Sequence, residues 1–311
     1  SGMELSTPWK ENGHQVHSHL LVLSIRDKEL RDLIDREVVG KGFCQAGSFR
    51  KIIDWCNAHQ IPTVAAHPTH HYPVVPIPKA ENGKILIREN CFSYPYDLGL
   101  GLPSAIELFN NGAPGYDSEG QTIELVKRLL AEGRNISVVS GSDYHTRLSA
   151  LDSDPLDLEK NATYRLRYQD GRESSSLDRT TGIYLKNGQL PNEQTLLSAL
   201  FRGQSAARYL SITRVEALEP KPSRFAEPSY GIGVEGKIAG LGRGYRGSIH
   251  AYVIGGGISD RFTVPVSGDQ SHFNLVSDRS PQAAIGQPVR ILLHLPNRYA
   301  AVFSFARQRL Q

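Results

Sequence analysis

Asp143 and His145 stand two residues apart, directly after the short apolar run Ile136-Ser-Val-Val-Ser-Gly-Ser. The run reads as a buried strand, with Gly-Ser as its exit turn. Alternation along an extended chain points both side chains to one side, so a carboxylate and an imidazole leave the strand end together. Such a pair suits a divalent metal, or acid/base chemistry, at the carboxyl end of a parallel strand. A Ser/Asp helix cap with a surface His is the alternative account of the same residues. His67 ends a second run of this kind, Ile61-Pro-Thr-Val-Ala-Ala-His67-Pro, where Pro68 disfavours α backbone at His67 and holds the imidazole at the strand end. His70 and His71 lie in the loop beyond. Glu107 and Asn110 belong to a third strand-like run, Ala105-Ile-Glu107-Leu-Phe-Asn110. His14, His17 and His19 crowd ahead of Leu20-Leu-Val-Leu-Ser-Ile25, a dense group for a chain with 11 His; a polar turn with a surface His cluster is the other reading.

Helices separate these strands. Residues 27–39 read as amphipathic, with Leu30, Leu33, Ile34 and Val38 on one face. Ser48 is expected to cap a second helix that runs to about His59 and buries Ile52, Ile53, Trp55 and Cys56. Ser118 opens a third through Ile123, Leu125, Val126, Leu129 and Leu130, and Gly133 closes it. Strand and helix thus alternate as far as residue 145, the pattern of a parallel α/β architecture with its βα loops on one face. His67, Glu107 with Asn110, and Asp143 with His145 all follow strands, and in a barrel those ends converge on one pocket. Residues 72–102 form a long connection rich in Pro, Gly and Tyr, expected to lie over the same end.

The chain has 311 residues, 39% hydrophobic and 22% charged, enough for one large domain or two ordinary ones. A net charge of +3 without a Lys/Arg run leaves no electrostatic footprint for nucleic acid. No run of about 18 apolar residues predicts a membrane span. Cys44, Cys56 and Cys91 lack CxxC spacing; they neither demand a disulfide framework nor exclude secretion, so cytoplasmic and secreted locations both stay open.

Residues 151–178 are charged and rich in Ser, Asp and Arg, and read as a surface insertion near the active face. From about residue 210 the pattern is all-β. Ser248-Ile-His-Ala-Tyr-Val-Ile, Arg261-Phe-Thr-Val-Pro-Val, Pro288-Val-Arg-Ile-Leu-Leu-His-Leu and Ala300-Ala-Val-Phe-Ser-Phe-Ala are strands of an expected small antiparallel β-sandwich. Residues 231–244 are Gly-rich, but no helix follows them, so hairpin turns are expected in place of a phosphate-cradling loop. His250, His272 and His294 are read as structural. The expected boundaries are 1–208 for the α/β unit and 209–311 for the β unit.

Four segments in order resemble the PHP (polymerase and histidinol phosphatase) family of metal-dependent phosphoesterases. Gly2-Met-Glu4-Leu-Ser resembles its G-x-E-x-S strand and His19-Leu-Leu-Val-Leu its next strand. Ala66-His67-Pro resembles its A-H-P motif and Gly141-Ser-Asp143-x-His145 its closing G-S-D-x-H. Leu196-Leu-Ser-Ala-Leu-Phe-Arg-Gly203-Gln is similar to the helix that follows in that family. The resemblance implies a distorted (β/α)7 barrel with up to three metals that hydrolyses phosphate esters through metal-activated water. Members of the family carry H-x-H, Asp and T-D-H ahead of the G-x-E strand. Nothing of the kind precedes Glu4 here, so the expectation is a PHP-like barrel without its first two strands. Such a barrel would expose sheet edges, which predicts that the chain forms a homo-oligomer, aggregates, or covers the gap with residues 72–102.

By the same resemblance Glu4 bridges two metals, and His19 and His67 complete the coordination of one of them. Asp143 and His145 would belong to the other metals and orient the attacking water. His70, His71, Glu107 and Asn110 are candidates to support the ligands or hold substrate. Oxygen and nitrogen donors suit Zn, Mn or Fe, and the implied partner is a small phosphorylated molecule. Two other functions remain: a related amide or carbamate metallohydrolase, and a non-catalytic binding protein that kept the barrel and lost its first ligands.

Overall fold

The structure is a computed structural model that describes residues 2–11, 14–24, 26–39, 43–69, 71–72, 90–92, 94–109, 118–141, 166–167, 173–174, 179–185, 188–209, 214–222, 232–239, 244–255, 258–268, 270–277, 288–296 and 299–306. The first part of the chain runs β1 (Gly2–Glu11), β2 (His14–Leu23), α1 (Lys28–Glu37), β3 (Val38–Val39), β4 (Phe43–Cys44), α2 (Ala46–Ala58) and β5 (Thr63–Ala66). It continues with β6 (His71–Tyr72), β7 (Asn90–Phe92), β8 (Ala105–Phe109), α3 (Ser118–Ala131) and β9 (Ser137–Ser140). Next come β10 (Leu166–Arg167), β11 (Glu173–Ser174), β12 (Arg179–Ile183), α4 (Glu193–Phe201) and β13 (Ser205–Tyr209). Strands alone follow: β14 (Arg214–Pro222), β15 (Ile232–Ala239), β16 (Arg246–Gly255), β17 (Ile258–Ser267), β18 (Gln270–Ser277), β19 (Pro288–Leu295) and β20 (Tyr299–Ala306).

The architecture is α/β: a mixed sheet in the order β3-β4-β1-β2-β5-β8-β9 with helices, and a separate antiparallel sheet in the order β12-β13-β20-β19-β16-β17. The short β6 and β7 lie off the first path, β7 pairing with β2, and β14-β15-β18 form a third sheet. Among the described residues the path from β3 to β9 does not close on itself.

The expected parallel order holds for β5, β8 and β9, but β1 and β2 pair antiparallel from Gly2↔Leu23 to Glu11↔His14, and β2 pairs antiparallel with β5. The connection between β1 and β2 is the dipeptide Asn12-Gly13, the strongest short-range hairpin signal in a sequence. A two-residue link cannot make the crossover that a parallel pair requires.

Alternation sorts the mixed sheet into two faces. Leu5, Leu20 and Val22 turn to one face, where Leu30, Leu33 and Ile34 of α1 and Phe49, Ile52, Ile53 and Cys56 of α2 cover them. Asp27 caps α1 by accepting from the Leu30 N–H at 3.0 Å. Helix α2 starts after Gln45, whose side chain makes no cap; Ser48 lies inside the helix and donates to Glu37 Oε2 at 2.6 Å instead. That hydroxyl is therefore a tie between α1 and α2 and not the expected cap. On the opposite face Val64, Ala105 and Val139 form an apolar layer with Leu200 of α4, and Leu21 and Leu23 pack against it.

The antiparallel sheet is buried on both sides. Tyr252, Ile254, Leu292, Ala300 and Val302 join a core with α3, β8 and β9, while Ile249, Ala251, Val253, Ile291 and Leu293 build a second core on the reverse face. Strands β12 and β13, the second ending at Tyr209, extend this sheet through β13–β20 pairing. The Gly-rich segment expected as hairpin turns contains strand β15, paired on one side with β14 and on the other with β18. Neighbours on both edges outweigh the low intrinsic strand preference of Gly. Most of 151–178, read as a surface insertion, falls outside the described residues.

Candidate metal centre

Glu4 and His19 sit diagonally across the β1–β2 hairpin: Glu4 is opposite Leu21, and His19 is opposite Ser6. Diagonal neighbours of an antiparallel pair share a face and are within reach of long side chains. That face is the one carrying Leu21, Val64, Ala105 and Val139, so the polar pair stands at the margin of an apolar layer. His19 also pairs with Ala66, the last residue of β5, and His67 follows immediately. Two antiparallel registers therefore bring three residues, 63 positions apart at the extremes, to one place.

There the donor atoms converge. His19 Nδ1 lies 2.8 Å from Glu4 Oε1 and 3.2 Å from His67 Nε2. The ligand atoms of all three lie within 4.8 Å of one another. Bonds of about 2.0–2.1 Å to a tetrahedral zinc place neighbouring ligand atoms about 3.3 Å apart, so the spacing suits a shared small cation. The donor set agrees: one carboxylate oxygen and two imidazole nitrogens close together are donors that zinc, manganese or iron accept. Exposure grades across the site. Glu4 is 39% and the His19 side chain 22% exposed, whereas His67 is 5% exposed.

His67 has φ +32°, in the left-handed region that a residue with a Cβ seldom occupies. Such backbone costs about 1–3 kcal/mol and persists only where the surroundings over-determine it. Glu107 supplies one constraint. Its carboxylate is buried, and Oε2 accepts the His67 N–H at 2.8 Å. Gly141, at the end of β9, supplies the room: a Cβ there would fall on Glu107 Oε1. The Gly141 N–H is in turn fixed to Phe109 O at 2.9 Å. Thr69, two residues beyond His67, supplies a second constraint through a 2.6 Å hydrogen bond with Thr122, the fifth residue of α3.

Of the residues singled out in the sequence, Glu4, His19 and His67 meet, and Glu107 adjoins them through the His67 backbone. His70, Asn110, Asp143 and His145 lie outside the described residues. His71 is part of β6, but its side chain is outside them too. Sequence reasoning missed Thr69, Thr122 and the role of Gly141. Thr69 and Thr122 carry no local signal, because their partnership spans 53 residues. Among the described residues no helix is long and apolar enough to cross a membrane. A scan against models of known families finds no match for this chain, and a search of curated proteins finds no relative.

Proposed function

We propose that the chain is a metal-dependent hydrolase whose Glu4, His19 and His67 hold one divalent ion, with phosphate esters as its substrate class. The convergence of Glu4 Oε1, His19 Nδ1 and His67 Nε2 carries this reading. We read the mixed sheet as part of a PHP-like barrel and the C-terminal strands as a β-sandwich-like unit. When bound, a zinc, manganese or iron ion supplies Lewis acidity, lowering the pKa of bound water to about 7 and polarising a phosphoryl oxygen.

The chain's own residues do the rest. His67, buried, fixes one side of the centre, while the more exposed Glu4 leaves the other side open to solvent and substrate. Glu107 holds the His67 backbone and so the direction of its imidazole. Asp143 and His145, two and four residues beyond Gly141 in the sequence, are proposed to orient water and phosphoryl group.

Elemental analysis of the purified chain, beside hydrolysis of p-nitrophenyl phosphate with and without a chelator, tests the proposal. The expected outcome is metal in the parent, none in His67→Ala, and metal kept but turnover lost in His145→Ala. Equal metal loss in both variants refutes the assignment of ligands. Metal without hydrolysis of any ester refutes the enzyme in favour of a binding protein.

A further inference from the structure

Helix α3 is fastened on two sides within its first five residues. On one side Thr122, which is buried, meets Thr69 in the turn that follows His67. On the other side Glu119 Oε1 accepts from His294 Nε2 at 2.6 Å, and His294 belongs to β19 of the antiparallel sheet. Both members of that pair are shielded, with side chains 9% and 17% exposed, so the charge-assisted bond forms largely out of water. Glu119 and Thr122 are three residues apart, hence neighbours along one stretch of the helix surface.

β19 grips α3 a second time. Arg290, four residues before His294, donates to Gly133 O and to Asn135 Oδ1 at 3.1 Å, just past the helix C-terminus. Leu292 between them is fully buried in the core shared with α3. The helix is therefore held by the antiparallel sheet at both ends, and its first turn cannot shift without breaking the His294 bond. The neighbours of His294 complete the cluster. His250 lies beside it on β16, ring centroids 6.3 Å apart, and Arg261 of β17 stands 3.3 Å from His250 Nδ1.

We propose that His294 is a positioning residue for the metal centre: through Glu119 and the first turn of α3 it holds Thr122 against Thr69 and so keeps His67 in its left-handed backbone. A strained residue holds its geometry only while its neighbours are clamped, and the turn carrying His67 is clamped at the His67 N–H by Glu107 and at Thr69 by Thr122. Glu107 rises from the same sheet as His67, but Thr122 rides on a helix whose position the antiparallel sheet sets. The C-terminal strands thereby become a working part of the site. This inference rests on the reading of Glu4, His19 and His67 as a metal centre.

The test uses the full chain with His294→Ala, and with His294→Gln, which keeps a donor for Glu119. Amide hydrogen exchange at His67 in metal-free protein reports opening of the turn without reference to any ion, and titration with Co2+ reports the centre. In His294→Ala the His67 amide is expected to exchange about tenfold faster and Co2+ to bind about tenfold more weakly. That is the lower end of the effect for groups that orient a metal ligand. The amides of Ile52 and Ile53 in α2 keep their rates, and His294→Gln recovers most of both losses. An unchanged His67 rate, or one that rises by the same factor as the α2 amides, overturns the proposal. Should His294→Ala fail to fold, Thr122→Val must accelerate His67 exchange alone, and an unchanged rate there overturns it equally. A parent chain that binds no Co2+ removes the metal reading, and the exchange comparison then decides the positioning role by itself.

Discussion

Gly141→Ala probes the junction between the end of β9 and the buried carboxylate that holds His67. A Cβ at this position would fall on Glu107 Oε1 and stand 2.7 Å from the Glu107 Cδ, so the carboxylate or the strand end has to move. The two responses have different costs. If the carboxylate yields, Oε2 leaves the His67 N–H, and a hydrogen bond to a charged group contributes about 1.5–3 kcal/mol. If the strand end yields, the Gly141 to Phe109 bond is strained and the overpacked site costs about 1–3 kcal/mol. Relaxation along one path relieves the other, so the costs are alternatives, and the expected loss is about 2 kcal/mol, within both ranges.

Urea denaturation followed by tryptophan fluorescence measures that loss, and a double-mutant cycle with Glu107→Ala assigns it. Truncating Glu107 empties the space the new Cβ needs. In that background Gly141→Ala is expected to add little, within the ~0.3–0.5 kcal/mol that independent sites show. If Gly141→Ala costs the same with and without the Glu107 carboxylate, the two do not compete for the same space and the reasoning fails. Metal affinity separates the two relaxation paths. A displaced carboxylate frees the His67 backbone and weakens binding by about 10–100-fold, whereas a displaced strand end lowers stability with far less effect on the ion.

Two further outcomes follow from groups away from the centre. Glu37 has its pKa lowered from 4.5, first by the Ser48 hydrogen bond and then by Lys51. A depressed folded-state pKa means stability that is present above the ordinary value and lost as pH falls through the lowered one. Ser48→Ala should therefore be less stable than the parent near neutral pH, with the gap closing in acid; a gap that stays constant in urea melts down the pH range would contradict this. Burial pushes the thiol of Cys44 up to about 11 and that of Cys56 to about 12, leaving both protonated and unreactive. In a Cys91→Ser chain a disulfide-exchange reagent should label neither until urea unfolds the protein, and prompt native labelling would show the burial to be wrong.

Apolar runs with a polar residue at the end were legible because strand burial writes itself as a run of β-branched and aliphatic residues. Ile61 to His67 and Ala105 to Asn110 were both read this way, whereas Pro68 pointed to extended backbone at His67 and not to the left-handed φ of +32° that the structure has. Strand partners were not legible from the same residues. Nothing in Leu20 to Leu23 says whether its neighbour runs parallel or antiparallel, and only Asn12-Gly13, outside the run itself, carried that information. Glu107 stood out as a carboxylate within an apolar strand, but its use, holding a backbone N–H 40 residues away, is a property of the folded sheet. His294 was read as structural, and its bond to Glu119 spans 175 residues, a distance over which no local pattern reports.

The same hairpin that defeated the parallel reading is what gives Glu4, His19 and His67 their geometry. Side chains alternate along a strand, so a slip of one residue between β1 and β2 would send either Glu4 or His19 to the face covered by α1 and α2. Leu5, Leu20 and Val22, each fully buried on that face, make such a slip exchange apolar side chains for charged ones in the core. Burying an unpaired carboxylate there is far costlier than burying Leu is favourable, so the register is fixed by the hydrophobic pattern and not by Glu4 and His19. The β2–β5 register, His19 opposite Ala66, then places His67 one residue past the last pair. Aliphatic residues on the far side of the sheet thus decide where a carboxylate and two imidazoles meet.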